Sequence, residues 1–317
     1  MRKSAPPCSL AHEQQRNGFR AHGQTHCTLK ESTIVSDKAQ TVTAADMETP
    51  LVSVITVCLN AGAHISQALG SVLAQTYANV EHIVVDGGST DGTLEVLAEF
   101  KLRLGDRLRW ISESDEGRYD AMNKGIALAT GSLIGTLNAD DFYEPDAIAS
   151  AVAAWESHPE AGVLYGDLRT HGVDGDIHTL NSPATVRLGP LLRNMTLHHP
   201  TTFVSARVYE EVGGYDTLYP ITADYDFILR CVEAGVKFQS VDRVLTNFSL
   251  FGASDAAMRR TDRDATRVRI AHGVNPILAW VRFFRRAVAY AIYSAFAGIP
   301  AFRKAYDTYK GRHDTRR

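Results

Sequence analysis

The sequence predicts an α/β protein whose mostly parallel sheet is flanked by helices, with a polar leader before it and a helical tail after it. Three observations carry that expectation. From residue 51 onward, short β-branched runs alternate with segments of helical period, the pattern of strands joined by crossover helices. The runs are apolar almost without interruption, as strands covered on both faces are. The composition is globular, with 317 residues, 44% hydrophobic, 22% charged and a formal charge of −3, which suits one large α/β domain with appendages.

Residues 1–50 are polar, lack apolar periodicity and begin Met1-Arg2-Lys3-Ser4-Ala5-Pro6-Pro7, without the apolar core of a signal peptide. The expectation is a disordered leader, because little apolar area is available to offset its ordering entropy. His12, His22 and His26 within it read as solvated. At 52–59 a nearly continuous apolar, β-branched run predicts the first buried strand, and Ile65, Ala68, Leu69, Val72 and Leu73 form one helical stripe after it. A second strand at 80–85 ends in Asp86-Gly87-Gly88. Ser89, Thr90 or Asp91 then caps a helix that carries Leu94, Leu97 and Ala98 inward. A strand at 108–111, a helix at 119–129 stopped by Gly131 and a strand at 133–137 follow, and Pro145 starts a further helix.

The second half is less regular. Strands are expected at 162–168, with 176–180 as a hairpin partner, at 201–204 and at 236–241. Helices are expected at 206–212 and 224–234, the latter stopped by Gly235. From Pro276, three arginines (Arg282, Arg285, Arg286) precede an apolar, aromatic stretch at 287–302, and Arg303-Lys304 follows. Gly298 and Pro300 interrupt it, and it is too short for a membrane span. Two readings stay open: a helix lying in a membrane interface, or a terminal helix covering the domain's flank. The divisions drawn are 1–50, 51–255 and 256–317.

Ligands of such sheets bind beyond the carboxyl ends of the strands. Here those ends carry Asn60, Asp86, Glu113 to Asp115, and Asn138 to Asp141. In the stretch TLNADDFYEP, Asp140 and Asp141 are adjacent, and neighbouring carboxylates raise each other's cost of ionising unless a cation or strong donors intervene. They either cap the helix that Pro145 starts or hold a metal. An open site with two such side chains suits Mg²⁺ or Mn²⁺, which complete their shell with substrate phosphates and water. Gly87 and Gly88 let backbone approach a nucleotide closely, and Asp86 offers an acceptor to a base or ribose. A near-neutral charge argues against nucleic acid as a partner. Cys8, Cys27, Cys58 and Cys231 show no C-x-x-C spacing, which points to a reducing cytoplasm.

Five ordered stretches, VSVITVCLN, VVDGGSTDGT, SESDEGRYDAMNKGIALATG, LNADD and TADYDFILR, make residues 51 to about 250 resemble the family-2 glycosyltransferases. These are inverting enzymes of Rossmann-like GT-A fold that use nucleotide-diphosphate sugars. The YDAMNKGI, HHPT and ADYD segments resemble the branch that assembles bacterial exopolysaccharide and other surface glycans. The resemblance implies a nucleotide-sugar donor, a glycan or lipid-linked acceptor, and work in the cytoplasm, at the inner face of a membrane if the tail docks there. It implies that Asp86 contacts the base and that Thr56, Asn60, Gly88, Asp115, Asn138 and Ala139 line the nucleotide sugar. Asp140 and Asp141 match the metal-binding acids, and Asp224 matches the base that takes the acceptor's proton. The metal motif often begins with Asp where this chain has Asn138. An arginine of many relatives is replaced by Met122, leaving Arg118 or Lys124 to face the diphosphate. His199 is a metal ligand or acceptor contact, or simply packed; Asp224 is otherwise a favourable first-turn acid. Asp226 reads as structural, Tyr119 as core and Asp91 as a cap.

Two other functions share the fold. A sugar nucleotidyltransferase needs a glycine-rich basic loop after the first strand, and residues 60–64 contain no Lys or Arg. A non-catalytic nucleotide-sugar-binding module predicts loss of the acids, yet Asp140, Asp141 and Asp224 are all present. A hydrolase using paired acids gives no reason for the upstream strand ends.

Overall fold

The computed structural model describes residues 49–172, 175–249 and 255–296. The expected leader lies outside the described residues except for its last two positions, as do residues 297–302 of the apolar tail, Arg303 and Lys304.

The strands are β1 (Val52–Cys58), β2 (Val80–Asp86), β3 (Leu108–Ser112), β4 (Leu133–Thr136), β5 (Phe142–Tyr143), β6 (Ala161–His171), β7 (Ile177–Leu180), β8 (Thr202–Ser205) and β9 (Lys237–Ser249). They form one sheet in the order β3-β2-β1-β4-β8-β6-β9-β5, with β7 paired to β6. β3, β2, β1 and β4 are all parallel, and so are β6 and β9. The joins of β8 to β4 and β6, of β5 to β9 and of β7 to β6 are antiparallel. The helices are α1 (Ile65–Leu73), α2 (Thr93–Leu104), α3 (Arg118–Leu128), α4 (Ala147–Ser157), α5 (Leu188–Arg193), α6 (Ala206–Val212), α7 (Ala223–Glu233), α8 (Asp255–Ala271) and α9 (Pro276–Phe296).

Alternation along the strands explains the layers, because successive side chains point to opposite faces. Val54, Leu133, Leu164 and Phe203 face α4, and Val84 faces α1 and α2. Their neighbours Ile55, Ile134, Val163 and Val204 face the other way, into a core shared with α3, α6, α7 and α8. Each such fully buried aliphatic chain stabilises the fold by about 1.5–3 kcal/mol. β1 and β2 pair from Val52–Val80 to Cys58–Asp86, so their carboxyl ends emerge level. The Leu137 amide donates to Ile55 O at 2.9 Å, bringing the 138–141 loop out beside them.

α8 begins where the tail was expected to begin, yet its Ala265 and Val268 are buried in the same core as α7. The 255/256 division therefore separates no two cores. Its Asp264 carboxylate accepts from the Ile221 amide, the Thr222 amide and the Thr222 hydroxyl, each at 3.1 Å, and so fixes the turn that starts α7. In the first turn of α7 itself, the buried Asp226 carboxylate accepts from Arg230 Nε at 2.7 Å and His272 Nε2 at 3.0 Å, and His272 Nδ1 lies 2.9 Å from Glu233, the last residue of the helix. Bonding to Asp226 lifts the His272 pKa above its ordinary 6.5, against the opposing pull of burial. Burial pushes Asp226 up, but the bonds from His272 and Arg230 outweigh it and leave the carboxyl below its usual value. A histidine whose folded pKa is raised contributes stability that is full below its unfolded value and is lost as pH rises through the folded one. Melting temperature is therefore expected to fall as pH rises above 6.5, and His272→Gln to flatten that decline; an equally steep decline in the variant removes this clamp as its cause.

Candidate active site at the strand carboxyl ends

A cavity of about 650 Å³ opens where β1, β4 and the start of α3 meet. Of the residues expected at a nucleotide-sugar site, Asn60, Asp115, Arg118, Asn138, Ala139 and Asp140 line it, together with His64, Phe248 and Ser249.

Its first wall is the β1 turn. Asn60 has φ 52°, a conformation Asn tolerates because its side chain bonds locally. Its amide donates to Ser89 Oγ at 2.7 Å, and its Oδ1 accepts from the Thr90 amide at 2.9 Å. Behind that turn Asp86 is wholly buried. Its carboxylate accepts from the Gly88 and Ser89 amides (3.1 and 2.9 Å), from Ser112 Oγ (2.6 Å) and from the Ser89 hydroxyl. Burial pushes its pKa up, but the Ser112 and Ser89 bonds prevail and hold it below the usual carboxylate range. Asp86 thus organises the loop from beneath the cavity wall. Thr56 is likewise interior, 2.9 Å from His82 Nε2. Gly88 takes φ +87° in the turn without lining the cavity. Asp91 binds the amides of Gly62 and Thr93, both at 3.0 Å, acting at the head of α2 as expected.

The second wall is the loop into α3. Asp115 Oδ1 accepts from the Gly117 amide at 2.8 Å, and Gly117, at φ 118°, turns the chain into the helix. Gly117, Arg118 and Ala121 at the start of α3 thus line the cavity; the first amides of a helix have no intrahelical partner, which makes this an electropositive corner suited to phosphate oxygens. Lys124 is committed elsewhere, to Glu113 at 2.9 Å, Ser114 O at 3.0 Å and Asp120 at 3.4 Å, so Arg118 is the cation on this wall. Gly87 is needed for the approach: a Cβ there would lie 2.5 Å from Asp115 Oδ2 and 3.3 Å from its Cγ. Gly87→Ala is expected to displace the 113–117 loop and weaken donor binding about tenfold or more, read by calorimetry; unaltered affinity contradicts the role given to this loop.

The paired acids separate into two roles. Asp140 lines the cavity. Asp141 is fully buried; its Oδ2 accepts from Asn138 Nδ2 at 2.7 Å and its Oδ1 from the Ser249 amide at 3.1 Å. Burial pushes its pKa up to about 7, with the charge of Asp140 adding. Neither acid caps α4, whose N-cap position is Asp146. The shared metal coordination expected of Asp140 and Asp141 therefore reduces, on the cavity wall, to Asp140, while Asp141 ties the loop to β9. Among the described residues no group of three or more His, Cys, Asp or Glu could hold a metal. The Asp140 carboxylate beside an open volume does fit a hard divalent ion, which takes few protein ligands and fills its shell from phosphate and water.

Asp224 occupies the first turn of α7, half-buried, on a neighbouring cavity of about 390 Å³ that also has Asn194, Thr222, Asp262, Arg269 and Arg286 on its wall. The Tyr119 hydroxyl lies 3.0 Å from Asp224 Oδ1 and 2.9 Å from Ile221 O. Burial, then the Asp224 charge, keeps that phenol protonated by raising its pKa. Tyr119 is buried as expected of core, but its hydroxyl makes it a partner of Asp224 that helical periodicity alone does not reveal. His199 is also buried; its Nε2 lies 2.7 Å from Tyr215 Oη and 3.5 Å from Thr136 Oγ1. Burial lowers its pKa, and its ring packs edge-on to Tyr215. Phe248 and Ser249 were missed because the last strand, expected at 236–241, runs on to Ser249 as β9 through the exposed Asp242 and Arg243.

The profile of glycosyl transferase family 2 matches residues 53–210. A PGL/p-HBAD biosynthesis glycosyltransferase of Mycobacterium bovis is 35% identical over 186 residues, 58% of this chain and 71% of its own length. An uncharacterized glycosyltransferase of Mycobacterium tuberculosis is 37% identical over 57% of this chain and 68% of its own. Among solved structures, residues 1–349 of S. aureus TarS in complex with UDP-GlcNAc match with TM-score 0.57 at 16% identity, over 79% of this chain and 76% of that one; the chain spans 41% of the longer TarS chain. The mannosyltransferase PcManGT of Pyrobaculum calidifontis, solved with GDP-Man and Mn²⁺, matches with TM-score 0.58 at 19% identity, over 85% and 83%. At these identities the structures speak for the fold.

Proposed function

The chain belongs to glycosyl transferase family 2 and has its GT-A fold, and from that premise we propose an inverting transfer of sugar from a nucleotide-diphosphate donor to an acceptor hydroxyl. The observation that carries this reading is the first turn of α3. Arg118 lines the strand-end cavity, and the next residue, Tyr119, bonds Asp224 on the neighbouring one. One helix start thus joins a phosphate-binding corner to a carboxylate.

Asn60 and Asp115 hold the nucleoside end, while Arg118 and the α3 amides hold the diphosphate. Asp140 would hold Mg²⁺ or Mn²⁺, which when bound neutralises the charge growing on the departing diphosphate. Asp224, oriented by Tyr119, takes the proton of the acceptor hydroxyl as its oxygen attacks the anomeric carbon; the bond to the diphosphate breaks and its electron pair leaves with the phosphate. A single displacement inverts the anomeric centre. Residues 51–255 carry this chemistry, and α8 holds Asp224 in place through Asp264. The name of the M. bovis relative supports surface-glycan assembly, and with it a glycan or lipid-linked acceptor met at the cytoplasmic face of a membrane. No helix among the described residues is long and apolar enough to cross one.

A thermal-shift screen of UDP-, GDP- and dTDP-sugars with Mn²⁺ is expected to single out one donor class, stabilising by about 2.7 kcal/mol at a hundredfold excess over Kd. The product's anomeric configuration, read by NMR, is expected to be opposite to the donor's. Retention overturns the single displacement, and stabilisation by none of the donors overturns the donor class.

A further inference from the structure

We propose that the arginine-lined cavity between α8 and α9 binds the phosphate of an anionic membrane lipid, and that this contact seats the outer face of α9 in the bilayer surface. The cavity is about 320 Å³ and carries Arg193, Arg269, Arg282, Arg285 and Arg286. Among the described residues Asp262 is the one acid on its wall, and it engages Arg286 at 3.0 Å. Four guanidinium groups therefore exceed the local acid. The Nε of Arg269, a residue of that wall, is buried and has no hydrogen-bond partner among the described residues. Guanidinium forks match phosphate oxygens in geometry as well as charge.

α9 supplies the second, independent observation. Asn275 Oδ1 accepts from the Ile277 and Leu278 amides at 3.0 and 3.2 Å, so the helix has a defined start, with Pro276 at its first position. One side docks on the protein: Ala279 is 3% exposed, and Phe283 and Ala289 line the cavity. The opposite side repeats Ile277, Val281, Phe284, Val288 and Ile292 at helical spacing, all exposed, with Phe284 at 61%. Arg285 borders that stripe on one flank, and Arg282 and Arg286 continue round to the cavity side; residues 276–296 contain no Asp or Glu. An apolar stripe on a helix whose only charges are cations suits the boundary between acyl chains and anionic headgroups. Water leaves that stripe uncovered, and a neutral or cationic partner leaves the arginines unmatched. The cavity shares Asp262, Arg269 and Arg286 with the one that holds Asp224, so a lipid bound here lies next to the proposed acceptor side. The inference itself needs none of the sugar-transfer chemistry, and its test is read without a nucleotide sugar.

The full chain is floated with phosphatidylcholine vesicles with and without phosphatidylglycerol. Recovery is expected with the anionic vesicles and not with phosphatidylcholine alone. Arg282→Glu with Arg285→Glu is expected to weaken vesicle affinity at least about tenfold, and Phe284→Asp with Val288→Asp to abolish recovery. All four positions are exposed, so melting temperature and donor-induced stabilisation are expected to stay unchanged. Failure to float with anionic vesicles overturns the proposal, as does undiminished binding by the arginine variant. Stabilisation by inorganic phosphate without vesicle binding assigns the cavity to a soluble anion instead. A dimer dispersed by Phe284→Asp, again without vesicle binding, assigns the face to a second copy; either result overturns the lipid.

Discussion

Asp224→Asn is expected to lower kcat by about 10²–10⁴-fold while leaving the donor's Kd unchanged, because a positioned general base contributes on that order. Asn preserves size and still accepts from the Tyr119 hydroxyl, so the α3–α7 contact at 3.0 Å survives. The donor cavity does not include position 224, hence the expected split between turnover and binding. The competing account makes Asp224 only a favourable acid in the first turn of α7, worth about 0.3–1 kcal/mol of stability through the helix dipole. On that account the variant melts slightly lower and turns over as before. Single-turnover rates and calorimetric Kd, measured on the same preparation, separate the two. Tyr119→Phe is expected to fall between wild type and Asp224→Asn, since it removes the orienting hydroxyl and leaves the carboxylate.

Asp140→Ala is expected to cut kcat/KM at least about a hundredfold and to make donor binding insensitive to Mn²⁺. Metal neutralisation of a leaving diphosphate is worth several kcal/mol, and each 1.36 kcal/mol is tenfold in rate. The adjacent substitution is the informative control. Asp141 is buried with both oxygens engaged, so Asp141→Ala strands the Asn138 amide group and the Ser249 amide. That is expected to cost about 1–3 kcal/mol for each polar group left unpaired, read as a lowered melting temperature. Loss of Mn²⁺ response in the position-141 variant at unchanged stability contradicts the division of labour drawn between these neighbours.

The half of the sheet that builds the donor cavity was legible because strands buried on both faces declare themselves. β1, β2 and β4 are mostly apolar and almost wholly buried, and each ends in a polar turn at a residue readable from the sequence. α3 was legible from its glycine stop. The second half was less so for a specific reason: β9 passes Asp242 and Arg243 along an exposed stretch before returning to the buried Leu245, Thr246 and Asn247, so its apolar run looks finished at Val241. With that strand cut short, Ser249 could not be seen meeting Asp141, and the two aspartates looked equivalent. Asp86 shows the same limit: its place at a strand end is written in the sequence, but the donors that enclose it come from the following turn and from both neighbouring strands, β1 and β3. Asp264 shows it at longer range. Position 264 belongs to the stretch read as a tail, yet its carboxylate holds the turn before Asp224 across 42 residues of chain. Pattern reading finds which residues lie at an active end; it does not find which way each faces once tertiary contacts compete for its oxygens.

The most direct measurement is a crystal structure of the Asp224→Asn protein with its intact nucleotide sugar and Mn²⁺. The account predicts the diphosphate within hydrogen-bond reach of Arg118 and the α3 amides, the metal on Asp140, and the anomeric carbon facing position 224. A diphosphate bound away from Arg118, or a sugar turned from position 224, would contradict it.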